Sequence, residues 1–152
     1  MPAPASSGTH NTRNEAMTRV AAIDCGTNSI RLLVADGHID ENGRPQLADL
    51  TRQMRIVRLG QGVDARGYLD PAAIERTVEA TVEYQRMIEA LGATCTRFVA
   101  TSATRDASNS ADFVRQIKAV IGVEPEVVVG TEEASLSFNG ALSGLGESVS
   151  AP

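Results

Sequence analysis

The sequence predicts an α/β domain on a mixed five-stranded sheet, with its elements in the order β-β-β-α-β-α-β-α. The first observation behind this prediction is a pair of short apolar runs joined by a small polar turn, which is typical of an antiparallel hairpin. The second is that apolar residues at helical spacing alternate with short apolar runs in the second half of the chain. Such alternation indicates helical crossovers between parallel strands. A length of 152 residues with 42% hydrophobic residues suffices for one domain with a sizeable core.

The first half of the chain predicts three strands. The first covers about Arg19–Asp24 and the second about Ser29–Asp36. A turn from Gly37 to Pro45, rich in Gly, Asp, Glu and Asn, leads to a third strand over about Gln46–Leu59. The apolar residues of the third strand change from one face to the other along its length. This change indicates a β-bulge, or a strand that passes between two environments.

Capping signals and apolar spacing predict the helices. Asp70 is placed as an N-cap with Pro71 at the first helical position, and Gly92 ends that helix. The later elements follow the same logic: a strand over Thr96–Ala100, a helix from Ser110 to Gly122, a strand over Glu126–Val129, and a helix from about Thr131 toward Leu145. Residues 1–17 are small and polar and are expected to form a disordered extension.

Composition argues against several function classes. The net charge is −5 and the chain has two Tyr, three Phe and no Trp, which argues against binding nucleic acid polymers through a basic field or base stacking. No stretch reaches the ~20 apolar residues of a membrane span, and no secretory signal is evident, so we expect a cytoplasmic protein without a membrane partner. Cys25 and Cys95 lack metal or disulfide spacing and are expected to be buried thiols.

The turn between the first two strands is the most informative segment. It consists of Gly26, Thr27, Asn28 and Ser29. A turn this small and polar exposes backbone N–H groups and hydroxyls around one point, which suits a phosphate group. The alternative is an ordinary hairpin in which these residues only satisfy turn geometry.

Two further polar segments are expected near this turn, because ligands in open α/β sheets bind at the carboxyl ends of the parallel strands. These segments are Thr101–Asn109 and Gly130–Glu133, which follow the fourth and fifth strands. The topology therefore predicts that three separated segments converge on one site.

Four segments occur in a characteristic order: DCGTNSIRLLV at 24–34, TRQMRIVRLGQGV at 51–63, ATSATRDASN at 100–109 and GTEEA at 130–134. Together they closely resemble the exopolyphosphatase / guanosine pentaphosphate phosphohydrolase family, over about residues 18–145. The first segment alone is similar to the first loop of sugar kinases and actin-like ATPases. The four segments in register are far more specific.

The resemblance implies an actin-like (ribonuclease-H-like) domain, the first of two similar domains that enclose the active site. It also implies hydrolysis of the terminal phosphoanhydride bonds of inorganic polyphosphate or guanosine pentaphosphate, releasing orthophosphate. In this family the loop at 26–29 cradles a phosphate and the arginine matching Arg105 contacts phosphate. Asp24 is then expected near Mg²⁺ or another divalent cation, and Glu133 is expected to activate the attacking water.

The chemistry of the side chains suits these roles, and each role has a structural alternative. Arg105 offers a planar fork of donors to phosphate oxygens, or it forms an ion pair with Asp106. Glu133 needs a partly desolvated position to act as a base near neutral pH. Its alternative is to complement a helix dipole in the first turn, a role that Glu132 fits better.

Three arginines of the third strand, Arg52, Arg55 and Arg58, are candidates for a local basic track that holds a phosphate chain on an otherwise acidic protein. Alternation along a strand places Arg52 and Arg58 on one face and Arg55 on the other. A solvated strand surface is the alternative interpretation.

One family element has no match in this chain, namely the second glycine-rich loop of the form D-x-G-G-G-S-T-E. We therefore expect a truncated form that holds the first domain alone, with residues 146–152 as a disordered tail. Its exposed cleft face favours a homodimer or poor solubility. Two other hypotheses follow: a non-catalytic module that binds phosphate chains, and an actin-like nucleotide-binding domain.

Overall fold

The computed structural model describes residues 17–128, and the strands in this range form one five-stranded sheet in the order β3-β2-β1-β4-β5. The strands are β1 (Thr18–Cys25), β2 (Ser29–Ile39), β3 (Pro45–Ile56), β4 (Cys95–Ala100) and β5 (Glu126–Val127). β2 is antiparallel to β1 and to β3, whereas β4 is parallel to β1 and β5 is parallel to β4. The predicted mixed sheet is confirmed.

The helices in this range are α1 (Val63–Arg66), α2 (Pro71–Leu91), α3 (Ser102–Asp106) and α4 (Ser110–Ile121). α2 begins as predicted, because the Asp70 carboxylate accepts a hydrogen bond of 2.9 Å from the backbone N–H of Ala72. α2 ends at Gly92, whose φ of 74° is the left-handed conformation that glycine adopts at low cost. α1 and α3 were not predicted: α3 lies in the polar segment Thr101–Asn109, and α1 lies between β3 and α2. The predicted helix over 131–145 and the tail lie outside the described residues, as does the predicted extension over 1–17 apart from Met17.

The second strand is longer than predicted. β2 continues to Ile39 instead of ending at Asp36, because the chain reverses in a tighter loop than expected. The carboxylate of Asp40 organises that loop by accepting hydrogen bonds of 2.9 Å from the backbone N–H groups of Asn42 and Arg44. These bonds lower the pKa of Asp40.

The third strand is shorter than predicted at its C-terminal end. β3 ends at Ile56 instead of Leu59, because the chain leaves the sheet at Arg58, whose φ is 51°. Val57 and Leu59 are nevertheless 0% and 1% exposed. Their apolar character therefore reflects a buried loop, which a strand pattern imitates.

β3 does contain a β-bulge, but not where the predicted change of face falls, which is between Ile56 and Val57 and comes from the end of the strand. Val34 is opposite Thr51 and Ala35 is opposite Asp49, so Leu50 is the extra residue. Because of this extra residue, the alternation of side chains is shifted after the bulge. Asp49 and Arg52, for example, lie on the same face although they are three residues apart.

The hydrophobic core lies between one face of the sheet and helices α2 and α4, which pack side by side. Its largest fully buried side chains come from the sheet and α4 and include Ile23, Ile30, Leu32, Phe98, Phe113 and Ile117, and α2 adds the buried Ile74, Tyr84 and Ile88. Val20, Ala22, Leu33 and Val99 on the opposite face are also buried. The central strands are thus covered on both sides, which explains their nearly continuous apolar sequence.

Arg19 joins the start of β1 to two other elements. Its guanidinium forms a two-pronged ion pair with Asp36 of β2, with Nε–Oδ1 at 2.8 Å and Nη2–Oδ2 at 3.1 Å. Its Nη1 donates to the carbonyl of Leu91 at 2.7 Å, which satisfies the C-terminus of α2. The hydrogen bond from Arg19 holds the pKa of Asp36 below its usual range.

We predict that Asp36→Asn lowers the thermal midpoint at pH 7 and that this loss shrinks as the pH falls toward about 3. Because the pKa of Asp36 is depressed in the folded state, its contribution is present above its unfolded-state pKa of about 3.9. It is lost as the pH falls through the folded-state pKa. Thermal melts across pH test this, with Asp112→Asn on α4 as the exposed control. An equal loss at pH 7 and pH 3 would contradict the ion-pair account.

We also predict that Tyr84→Phe destabilises the fold by about 1 kcal/mol. The hydroxyl of Tyr84 donates to the carbonyl of Ile30 at 2.8 Å in the core, where burial raises its pKa. Denaturant unfolding measures the change. Tyr68→Phe is the matched control, since Tyr68 is 40% exposed, and equal effects of the two substitutions would rule out the buried bond as the cause.

Candidate functional site

Two of the three predicted polar segments meet at the carboxyl edge of the sheet. The register of β1 and β4 places Cys25 beside Ala100, so the two strands end together. The backbone N–H of Thr101 donates to the carbonyl of Cys25 at 3.1 Å. The turn after β1 and the segment after β4 are therefore neighbours, as predicted. The third segment, 130–133, lies outside the described residues.

The turn at 26–29 is compact and presents its middle to solvent. The N–H of Gly26 donates to the carbonyl of Ser29 at 2.9 Å and closes the turn. Thr27 and Asn28 at its tip are exposed, while Ile30 immediately after it is buried. The tip is thus held between two buried strands and still faces outward.

The carbonyl groups of the tip face the protein. The carbonyl of Asn28 accepts hydrogen bonds of 2.9 Å from the N–H groups of both Val57 and Arg58, and the carbonyl of Thr27 accepts one of 2.9 Å from Gly60. Within residues 17–128, the backbone N–H groups of Thr27 and Asn28 donate no hydrogen bond. Two adjacent amide donors with fixed, satisfied carbonyls form the arrangement that binds an anion.

A side chain of α2 forms hydrogen bonds with the segment after β3. Arg76 of α2 donates through Nε to the carbonyl of Val57 at 3.0 Å and through Nη2 to Oε1 of Gln61 at 3.5 Å. The position of the turn therefore depends on a residue that sequence inspection did not single out. No local motif points to Arg76, because its partner lies 19 residues away.

Asp24 lies at the end of β1, two residues before the tip, and is half-buried. The antiparallel register places it opposite Arg31 of β2 on the same face of the sheet. Sequence inspection assigned no role to Arg31, although the symmetry of a hairpin closed at 26–29 makes the two residues partners. Asp24 before the turn and Arg31 after it therefore lie opposite one another on neighbouring strands.

The charge of Asp24 affects the neighbouring Cys25 thiol, and its carboxylate is a candidate metal ligand. Burial raises the pKa of the Cys25 thiol, and the charge of Asp24 raises it further, so this thiol is inert. Cys25 is buried as predicted, whereas Cys95 is half-buried.

Within the described part of the chain, no three His, Cys, Asp or Glu side chains cluster as a metal cage. One carboxylate is compatible with Mg²⁺, which commonly takes one or two carboxylates together with water and phosphate oxygens.

Arg105 lies on α3, directly after the segment that contacts the turn. Its Nε is 3.0 Å from Oδ1 of Asp106, so the ion pair considered as the alternative is present. Its role toward phosphate stays a prediction. In the same short helix region, the hydroxyls of Thr101 and Thr104 are buried without a hydrogen-bond partner among the described residues. A buried unsatisfied hydroxyl costs about 1–3 kcal/mol, which a bound ligand or water offsets.

The three arginines of the predicted basic track do not share one face. Arg55 forms an ion pair with Glu83 of α2, and Arg52 on the opposite face forms one with Asp49. Arg58 lies beyond the end of β3, so the prediction that it shares a strand face with Arg52 is wrong. Of the three, Arg58 is the one whose backbone contacts the turn.

The helices of the described region include none with both the length and the apolarity of a membrane span.

Comparison with known proteins identifies relatives over most of the chain. A family profile described as the Ppx/GppA phosphatase family matches residues 37–151. The chain is 50% identical over 136 residues to a protein of Mycobacterium tuberculosis named exopolyphosphatase 2, covering 86% of this chain and 42% of that protein. The chain thus spans less than half the length of this curated relative.

Solved structures agree with this comparison. The crystal structure of the Ppx/GppA family member of Aquifex aeolicus superposes with a TM-score of 0.68 at 32% identity, covering 76% of this chain and 36% of that one. An exopolyphosphatase from Cytophaga hutchinsonii superposes with a TM-score of 0.69 at 29% identity, covering 82% of this chain and 38% of that one.

We predict that Arg58→Gly is more stable than Arg58→Ala by about 1 kcal/mol, because the φ of 51° favours glycine over any residue with a Cβ. Denaturant unfolding of the two variants measures the difference. The control is the same pair of substitutions at the exposed helical residue Arg86, where alanine is expected to be the more stable by about 1 kcal/mol. The same order at both positions would contradict a strained conformation at residue 58.

Proposed function

Because the chain belongs to the Ppx/GppA phosphatase family, we propose that it binds the terminal phosphates of inorganic polyphosphate or guanosine pentaphosphate and serves their hydrolysis to orthophosphate. The relative in M. tuberculosis is named for the first of these substrates. Both substrates end in a phosphoanhydride bond, and both present the same charged terminal group to the site.

The observation that carries this proposal is the pair of unengaged amides at Thr27 and Asn28. Both residues are exposed at the tip of a turn whose carbonyls are bound to the segment after β3, and their N–H groups donate no hydrogen bond within residues 17–128. A phosphate oxygen that approaches the tip would find two backbone donors whose own carbonyls are already engaged. Fixed donors of this kind stabilise charge that develops on a transferring phosphoryl group.

The remaining side chains supply charge around this point. Arg105 lies on the helix that follows the neighbouring strand, and its planar guanidinium binds two phosphate oxygens when it leaves Asp106. Arg58 adds a second cation from the segment bound to the turn. Asp24 fits a role as one ligand of Mg²⁺, and a bound Mg²⁺ would neutralise charge on the phosphate oxygens.

Glu133 is proposed as the general base, and it lies outside the described residues. In the reaction, a water oxygen forms a bond to the terminal phosphorus while the bond from that phosphorus to the bridging oxygen breaks. The carboxylate of Glu133 accepts the proton of the water, and the shortened chain leaves with its bridging oxygen. We propose that this takes place in the cytoplasm.

Binding without hydrolysis is the second candidate function. It is favoured by the coverage of the curated relative, since this chain spans 42% of that protein and the chemistry of the whole relative need not reside in this part. The same turn and the same arginine would hold a phosphate chain in that case.

We predict that the chain binds long-chain polyphosphate in the presence of Mg²⁺ and that Arg105→Ala weakens this binding at least about tenfold, the loss typical of a charge-assisted hydrogen bond. Titration calorimetry measures the affinity. Arg115→Ala is the matched control, because Arg115 is an exposed arginine on α4 that also pairs with an aspartate. Absence of binding, or an equal loss in both variants, would contradict the proposal.

Phosphate release from the same polymer separates the two candidate functions. We expect release by the unmodified chain and none by Glu133→Gln, which keeps the shape of the side chain and removes its basicity. Binding without release in either protein supports the second candidate. Equal release by both proteins would contradict the role of Glu133.

A further inference from the structure

Among residues 17–128, strand β3 forms one edge of the sheet and pairs with no strand on its outer side. β3 pairs with β2 on one side, and it is the first strand in the sheet order. Residues 46–50 are all exposed. An edge strand of this length presents a row of backbone donors and acceptors that can pair with another strand.

This edge also carries exposed apolar side chains. Leu47 and Leu50 are 41% and 40% exposed, and Met54 and Ile56 are 59% and 55% exposed. Natural edge strands are usually protected by charge, proline or a covering element, and long apolar edges are sites of association. β3 itself begins at Pro45, carries Asp49, Arg52 and Arg55, and contains the bulge at Leu50. A strand that pairs with it must therefore match these charges as well as cover the apolar side chains.

The bulge gives β3 a symmetric pattern on one face. Leu47, Asp49, Arg52 and Met54 are opposite Gly37, Ala35, Leu33 and Arg31, respectively, which are alternate residues of β2 and therefore share a face. The order along this face is apolar, acidic, basic, apolar. Without Leu50 as an extra residue, Asp49 and Arg52 would point to opposite faces.

We propose that two copies of this chain pair through their β3 strands in an antiparallel arrangement, with the two-fold axis between Leu50 and Thr51. Asp49 of one copy then lies opposite Arg52 of the second copy, and Leu47 lies opposite Met54. Each of these pairs occurs twice, as the symmetry of an isologous interface requires. The two sheets continue into one another across the interface.

The pattern selects this register over its neighbours. A shift of one copy by two residues sets Asp49 against Met54, or Leu47 against Arg52, and so removes both cross-strand ion pairs. Directly opposed side chains of opposite charge or of apolar character each contribute about 0.2–1 kcal/mol. The proposed register is the one in which all four of these side chains meet a matching partner.

The ion pair within one chain does not compete with this arrangement. Arg52 and Asp49 already pair on the surface of a single copy, where their side chains are 59% and 41% exposed and the pair contributes little. In the dimer, the two carboxylates and two guanidinium groups of both copies alternate around the axis. Each charge then has a partner in its own chain and one in the second copy.

Reciprocal charge reversal tests this interface. Asp49→Arg places only arginines at the two positions, and Arg52→Asp places only aspartates there. Each variant alone is therefore expected to be monomeric, while the unmodified chain is dimeric. An equimolar mixture of the two variants is expected to form a heterodimer, in which every opposed pair again has opposite charges. Sedimentation velocity of each protein and of the mixture gives the masses.

The mixture distinguishes loss of the interface from damage to the fold. Both variants lack the ion pair between residues 49 and 52 within their own chain, so a heterodimer in the mixture shows that this loss alone does not prevent folding or pairing. Asp112→Arg is the matched control, because Asp112 and Arg115 form an exposed pair with the same spacing on α4. This variant is expected to remain dimeric. A monomeric unmodified chain, dimers in both single variants, or a mixture that stays monomeric would each overturn the proposal.

Discussion

The candidate site depends on the hydrogen bonds that fix the turn between β1 and β2. The carbonyl of Asn28 accepts two N–H groups from the segment after β3, and the carbonyl of Thr27 accepts a third. With these carbonyls engaged, the N–H groups of Thr27 and Asn28 are the backbone groups of the tip that make no hydrogen bond within residues 17–128. Two further features hold the segment that supplies these donors. One is the left-handed conformation of Arg58, with φ of 51°, and the other is the hydrogen bond from Arg76 to the carbonyl of Val57.

Much of the fold could be predicted from the sequence, because the signals are local. Asp70, Pro71 and Gly92 mark the ends of α2 by capping chemistry that needs no tertiary context. The end of β3 could not be predicted, since Val57 and Leu59 are apolar residues of a buried loop and continue the apparent strand. α1 and α3 are too short to show helical periodicity, with 4 and 5 residues, respectively.

The candidate site was only partly predictable for a related reason. The turn and Arg105 are recognisable as residue types suited to phosphate, and topology alone places their segments at one edge. The pairing of Arg55 depends on a distant partner, because Glu83 of α2 lies 28 residues along the chain. Arg31 became visible as the neighbour of Asp24 only through the register of the hairpin. The residues proposed to bind phosphate are thus recognisable from local sequence, while the charges around them are arranged by tertiary contacts.

The central claim is that the amides of Thr27 and Asn28 bind phosphate oxygens. The most direct measurement is a titration of the ¹⁵N-labelled chain with inorganic tripolyphosphate in the presence of Mg²⁺, followed by amide NMR. The account predicts saturable shifts that are largest at the amides of Thr27 and Asn28, with smaller shifts around Arg105. Shifts confined to other surface residues, or no saturable shift at the turn, would contradict it.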